Sequence, residues 1–344
     1  MNMALARLIA GQVCIHAAMA GMRMAAPLLA LREGYSAAAV GVLLALFALT
    51  QVFLALPAGR YADRHGLKRP VGMAVGVASV GCALALVFPV FPLLCVAALA
   101  TGGASGAAII ALQRHVGRAT HDPVELKRVF SWLAIGPAVS NFIGPFVAGL
   151  LIDHAGAQPG STTGYRAAFA LMAVLPLATW FWVRHTQEPP PVIAAAGGPP
   201  QRAWDLLNDL PFRRLLLVNW FLSSCWDVHT FVVPLLGHER GLSASVIGTI
   251  LGAFAIAAAV VRVLMPMVAE HLREATVVTA AMLVTAVLFG VYPLLPSAWA
   301  MGACSVLLGF ALGSVQPMIM SMLHQMTPPH RHGEALGLRS MAIN

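Results

Sequence analysis

The chain has 344 residues, 59% of them hydrophobic and only 10% charged, a balance that excludes a water-soluble globular domain because no soluble fold hides that much apolar surface. Its formal net charge of +8 would suit a nucleic-acid binder, but the basic residues are dispersed along the chain rather than gathered in one patch, which excludes that class. A polytopic membrane protein is left.

Ten apolar runs follow one another, at about 5–30, 37–57, 70–88, 91–112, 129–152, 166–183, 214–236, 244–267, 276–295 and 298–323. Each is long enough to cross a hydrocarbon core of ~30 Å as a helix. Lipid offers backbone groups no hydrogen-bond partner, so the fold class is all-α. The first run contains small residues, Ala17 to Gly21, that resemble a signal-peptide cleavage region, but its length argues against removal. With the N-terminus in the cytoplasm, sixteen Lys and Arg fall on the cytoplasmic side and three, Arg32, Arg166 and Arg240, on the other. The positive-inside rule therefore sets the orientation. The five cysteines lie within spans, without paired or metal-ligand spacing, and read as reduced packing residues.

The first span carries Gln12, His16 and Arg23 among apolar neighbours. Between the second and third spans lies the loop Gly59-Arg-Tyr-Ala-Asp63-Arg64-His-Gly66-Leu-Lys68-Arg69. The fourth span contains Thr101 and Ser105, with Arg114 at its cytoplasmic end. The fifth holds Ser140-Asn-Phe-Ile-Gly144-Pro145-Phe-Val-Ala148-Gly149. Small residues there let helix backbones approach closely, and the proline bends the helix. Residues 1–183 form a six-helix half. Residues 184–213 are polar and proline-rich and read as a cytoplasmic linker, with Trp204, Leu207 and Leu210 expected as a short helix on the membrane surface. Residues 214–344 begin a second half.

On the seventh span Asn219, Ser223 and Asp227 recur every four residues, a stripe that Thr230 continues. Asp227 is the carboxylate set well inside a span, where charge is costly and usually functional. Trp220 and Trp226 on the same helix, and Gln316 on the tenth, are candidates for stacking and hydrogen bonds to a ligand. His229 falls on another face and is not paired with Asp227. Arg262 is expected to snorkel to the surface, and His324, near the end of the tenth span, stands out for nothing. The twelve histidines lie mostly in loops without ligand spacing, so no metal site is expected.

The second half repeats the first at a constant offset of 207 residues. Pro27 maps to Pro234, Gly34 to Gly241, Asp63 to Glu270, Gly102 to Gly309 and Gly106 to Gly313. Two such halves in parallel are the arrangement of transporters that rock around a midplane site. The repeat sets Gln12 opposite Asn219, His16 opposite Ser223 and Arg23 opposite Thr230. Glu270 takes the place of Asp63, facing Lys127 and Arg128 at the start of the fifth span.

The loop from Gly59 to Arg69 closely resembles the signature loop of the major facilitator superfamily, with Tyr61 in place of its usual leucine. The glycine–proline run around Gly144, Pro145 and Gly149 is similar to a motif of that family's exporters. The resemblance implies twelve helices, of which the first, fourth, seventh and tenth line a central cavity. It also implies that Asp63, with Gly59 and Arg64, latches the cytoplasmic side against the N-terminus of helix eleven, where the helix dipole favours an anion. Gly66, Lys68, Arg69 and Glu270 complete the expected gating set. Because the sequence ends as helix eleven begins, the partner of Asp63 is expected to be missing, and a chain of this length to insert but gate poorly.

The function expected is secondary transport of a small organic solute across a bacterial-type inner membrane by alternating access, as a proton-coupled exporter. Asp227 would be the coupling carboxylate, tuned by Arg23 and His16. Uptake of an organic anion or metabolite, with Arg23 and His16 as its clamp, is the alternative within transport. A receptor or inactive remnant is the alternative outside it. No nucleophile–base set marks an enzyme, no ATP-binding glycine loop appears, and neither cofactor nor nucleic acid is called for. The lipid bilayer, the solute and protons are the partners, and the protein is expected to be a monomer.

Overall fold

The computed structural model describes residues 3–120, 122–156, 162–188, 203–240, 244–268 and 271–343. Within them the regular elements are helical: α1 (Met3–Arg32), α2 (Ala37–His65), α3 (Lys68–Val87), α4 (Phe91–Ala119), α5 (Pro123–Leu133), α6 (Ile135–His154), α7 (Thr162–Val183), α8 (Leu210–Glu239), α9 (Ala244–Val268), α10 (Glu274–Val291), α11 (Ala298–Met326) and α12 (His332–Ile343). Nine segments of the described residues are long and apolar enough to cross a membrane, α5 and α6 counting together as one. α8 has 30 residues, and Asn219, Asp227 and His229 dilute its apolar content. α12, at 12 residues, is too short to cross.

The fifth span departs from its expected bounds. It starts at Pro123, behind an Asp122 cap that accepts the Glu125 N–H at 2.8 Å, and it breaks at Ala134 before resuming as α6. The charged turn Glu125, Lys127 and Arg128 hides this first helix from a hydropathy reading, though its cap and its proline at the first position are regular start signals. In the linker a 3-10 helix, Ala203–Asn208, buries Ala203 and Leu206 against the core and leaves Trp204 exposed. Leu210 already belongs to α8.

The repeat reappears in three dimensions. A Cβ on Gly102 of α4 would meet the Phe47 carbonyl of α2 at 2.2 Å, and one on Gly309 of α11 would meet the Phe254 carbonyl of α9 at 2.4 Å. Phe47 and Phe254 are themselves 207 residues apart and both fully buried. Glycine at these crossings lets α2 press on α4, and α9 on α11, backbone to backbone. The glycine–proline run of α6 serves a similar seam, because a Cβ on Gly144 would meet the Ala17 carbonyl of α1 at 2.4 Å. Ser140 Oγ donates to the Gly136 carbonyl of its own helix at 2.7 Å and, across the same seam, to the Val13 carbonyl of α1 at 3.2 Å.

α1 to α7 pack largely on one another, as do α8 to α11. The two groups meet where α2 lies along α12 and where α5 meets α9 and α11. These crossings carry Arg60, Arg114, Lys127, Arg128 and Arg331, and this side of the bundle is called the basic end below.

Candidate functional site

Two groups of polar residues stand out, one closing the basic end and one running along α1 and α8. In the first, Asp63 occupies the last turn of α2, and its carboxylate accepts the N–H of Gly333 at 3.0 Å and that of Glu334 at 3.1 Å. These are amides of the first turn of α12, where helix geometry leaves N–H groups without a partner in the helix and favours an anion. The expectation that the partner of Asp63 is missing is thereby overturned. The twelve residues of α12 supply it, and the argument for poor gating loses its ground.

Arg114 of α4 donates to the Asp63 carboxylate and, at 3.1 Å, to its carbonyl. Arg60 and Arg331 both donate to Glu334 at 2.9 Å, so one carboxylate on each helix is held by cations. Two glycines make the contact possible: a Cβ on Gly59 would fall 2.0 Å from the Gly333 carbonyl, and one on Gly333 would fall 2.2 Å from that of Gly59. Gly337, one turn on, lies on Ala55, where a Cβ would fall 2.7 Å from the Ala55 carbonyl.

The other members of the expected gating set divide. Arg64 and Arg69 are exposed, and Arg60 takes the cross-helix ion pair in place of Arg64. Gly66 ends α2 at φ +77°, a conformation suited to glycine. Beside it, Glu188 from the linker accepts the N–H groups of Leu67 and Lys68 at 3.2 and 2.9 Å, capping α3. Glu270 lies outside the described residues. Its expected partners act nonetheless: Lys127 donates to the Leu272 carbonyl at 2.7 Å and stands 4.0 Å from Glu274, and Arg128 donates to the Pro266 carbonyl.

In the second group, Gln12 is buried against Gly136 with both amide atoms unpartnered, and its repeat equivalent Asn219 is buried with an unpartnered Nδ2. Unsatisfied buried amides are expensive, and two at equivalent positions of both halves mark the stripe as more than filler. His16 Nδ1 lies 3.2 Å from Ser105 Oγ, and a side-chain hydrogen bond joins His16 to Asn141. Asn141 lies within the motif of the fifth span, whose reading concerned its small residues. Arg23 and Asp227 are exposed, and Arg23 is close enough for its charge to act on Asp227. Ser223 and Gln316 are half-buried; the Thr230 side chain lies outside the described residues. Trp226 packs edge-on against Phe254, whereas Trp220 is exposed beside Phe221. Thr101 spends its hydroxyl on the Ala97 carbonyl of its own helix at 2.7 Å.

Two expectations are corrected. Arg262 does not snorkel. It is 7% exposed, donates to the Gly313 carbonyl at 3.3 Å and the Ala134 carbonyl at 3.2 Å, and lies 5.6 Å from the Trp226 ring centroid. The break at Ala134 frees a carbonyl of the first half, and Arg262 binds it from the second. His324 is not an idle helix-end residue: it is buried and lies 3.1 Å from His332, which opens α12 rather than sitting in a loop. His229 is buried against Ser305, apart from the exposed Asp227, as its different helix face requires.

The sequence matches the Major Facilitator Superfamily over residues 8–344, and the chain belongs to that family of membrane transporters. The fold has solved relatives. A bacterial homologue of the iron transporter ferroportin, in an outward-facing state, aligns at TM-score 0.77 with 15% identity, covering 99% of this chain and 89% of its own. The human organic anion transporter MFSD10 (TETRAN) aligns at 0.74 with 16% identity, over 100% and 91%. The proton:xylose symporter XylE aligns at 0.75 with 13% identity, over 99% and 85%. At such identities the likeness is one of fold. No curated protein matches the sequence.

Proposed function

We propose that this chain moves a small organic solute across a bacterial-type inner membrane by alternating access, as a proton-coupled exporter with its basic end and N-terminus in the cytoplasm. The halves divide as 1–183 and 214–344, with 184–213 as the linker between them. The observation that carries the reading is the closure of the basic end by the α12 amides on Asp63, a contact between halves that must break for the cavity to open there. Its glycine contacts allow the two helices to separate and re-seat without rebuilding either.

Asp227, within reach of Arg23, is the residue that exchanges protons in this reading. Gln12, His16, Asn141, Asn219, Ser223, Trp226 and Gln316 contact the solute. The glycine–proline seam of α6 supports export as the direction. The test is reconstitution in proteoliposomes carrying a pH-reporting dye, with ethidium, benzoate and xylose as probe solutes. Wild-type protein is expected to couple proton movement to one of them, and Asp227→Asn to lower that coupled flux at least tenfold. Full coupling in Asp227→Asn would remove the carboxylate from the mechanism.

A second reading, uptake of an organic anion, draws on Arg262, a buried cation beside Trp226 whose hydrogen bonds go to neutral carbonyls. Benzoate-driven proton uptake in right-side-out vesicles, abolished by Arg262→Met, would favour it.

A further inference from the structure

We infer that His324 and His332 form a proton-binding site that releases the basic-end closure when that end is acidified. The inference rests on reading the basic end as a gate and adds a site that regulates it.

The protons of the pair can be placed from its surroundings. His332 Nε2 lies 2.9 Å from the Thr327 carbonyl oxygen and 3.2 Å from that of His324. Both are acceptors, so Nε2 carries a hydrogen. In a neutral imidazole His332 Nδ1 is then a lone pair, and it accepts from His324 Nδ1–H across 3.1 Å. That leaves His324 Nε2 as a bare lone pair, buried and without a partner. This atom is the proton acceptor. Once protonated it finds no acceptor in the closed arrangement, so its N–H is satisfied only when water enters.

The pair belongs to the closure itself. His324 projects from α11 into the first half, where a Cβ on Gly117 of α4 would fall 2.1 Å from its Cε1, and Phe130 of α5 packs at 5.0 Å between ring centroids. His332 stands next to Gly333, whose amide binds Asp63. The charged groups around the pair are Arg114 and Arg118 from α4, Lys127 from α5, Asp63 from α2, and Glu334 and Arg331 from the α12 end. Asp63 is engaged by Arg114, Glu334 by Arg60 and Arg331, and Lys127 by Leu272 and Glu274. A proton added to the pair is opposed by the charges of Arg114 and Arg118, which already act on it, and by the N-terminal partial charge of α12.

Burial first, and then Arg114 and Arg118, hold His332 down to about 4 from the ordinary 6.5. A histidine depressed in the closed state and ordinary in the open one costs closure nothing at neutral pH and opposes it increasingly as pH falls through the window between 6.5 and about 4. For one proton the open-to-closed ratio rises up to about tenfold per pH unit in that window.

Spin labels at exposed Arg64 and Met326, in a chain whose five native cysteines are alanine, would report opening by pulsed electron resonance in nanodiscs from pH 8 to 5. The wild-type long-distance population is expected to grow steeply below pH 6.5, and His324→Gln with His332→Asn to flatten that growth to less than threefold over the range. A wild-type population constant from pH 8 to 5, or a variant with the wild-type slope, would overturn the inference. Imidazole ¹⁵N spectra of the wild-type chain at pH 8 need no variant: Nδ1–H on His324 and Nε2–H on His332 support it, and the reverse tautomers overturn it. An end that opens under no pH and no solute would instead defeat the gate reading.

Discussion

At the residue scale, the closure of the basic end depends on what is absent from two side chains. Gly59 and Gly333 touch backbone to backbone, and a carbonyl cannot swing aside as the tip of a long side chain can. Gly59→Val therefore leaves α2 intact on its own side but props it away from α12. Overpacking of this kind costs about 1–3 kcal/mol, which at the gate becomes a shift of roughly 5- to 150-fold toward the open basic end. Cysteine accessibility at position 334 in a Glu334→Cys background should rise accordingly, and unchanged accessibility would show that the contact does not limit closure. Arg262 works the other way, holding the halves by what it reaches. Its guanidinium crosses to Ala134, and the neutral carbonyls and the Trp226 face offset part of the cost of its burial.

At the element scale, the repeat predicts paired behaviour. Gly102 and Gly309 sit at equivalent crossings, each under the carbonyl of an equivalent phenylalanine. Gly102→Ala and Gly309→Ala should each destabilise the chain, by about 1–3 kcal/mol from overpacking. Gly76 of α3 and Gly252 of α9 have open space where a Cβ would go, and alanine there is expected to be neutral or to stabilise by up to about 1 kcal/mol, the helix-propensity difference. Thermal unfolding in one detergent would check all four. Destabilisation at Gly102 without its counterpart at Gly309 would mean that the two halves do not share one packing scheme.

At the scale of the whole molecule, what the sequence conveyed and what it withheld divide along one physical line. Spans, repeat and signature loop were legible because hydropathy, a constant offset and local spacing are written along the chain. Gly102 and Gly309 kept their equivalence in space for the same reason. The partner of Asp63, the burial of Arg262 and the His324–His332 pair depend on which distant helices meet, and no local pattern reports that. The start of α5 at Pro123 was hidden differently, by charged residues in its first turns that hydropathy treats as loop.

The same line bears on gating. The basic end is fastened on two sides of the repeat, by α12 on Asp63 and by Lys127 and Arg128 on the carbonyls of Leu272 and Pro266. The contacts named here share no hydrogen-bond partner among the described residues, yet one rigid rocking motion must break both. Gly59→Val and Lys127→Met should therefore multiply in their effect on the open-to-closed ratio, their free energies adding within about 0.5 kcal/mol as for independent sites. Spin-label distances across the basic end in the two single variants and the double variant would measure this. A double variant no more open than the stronger single one would mean that one fastening alone sets the gate, and that the halves do not move as rigid bodies.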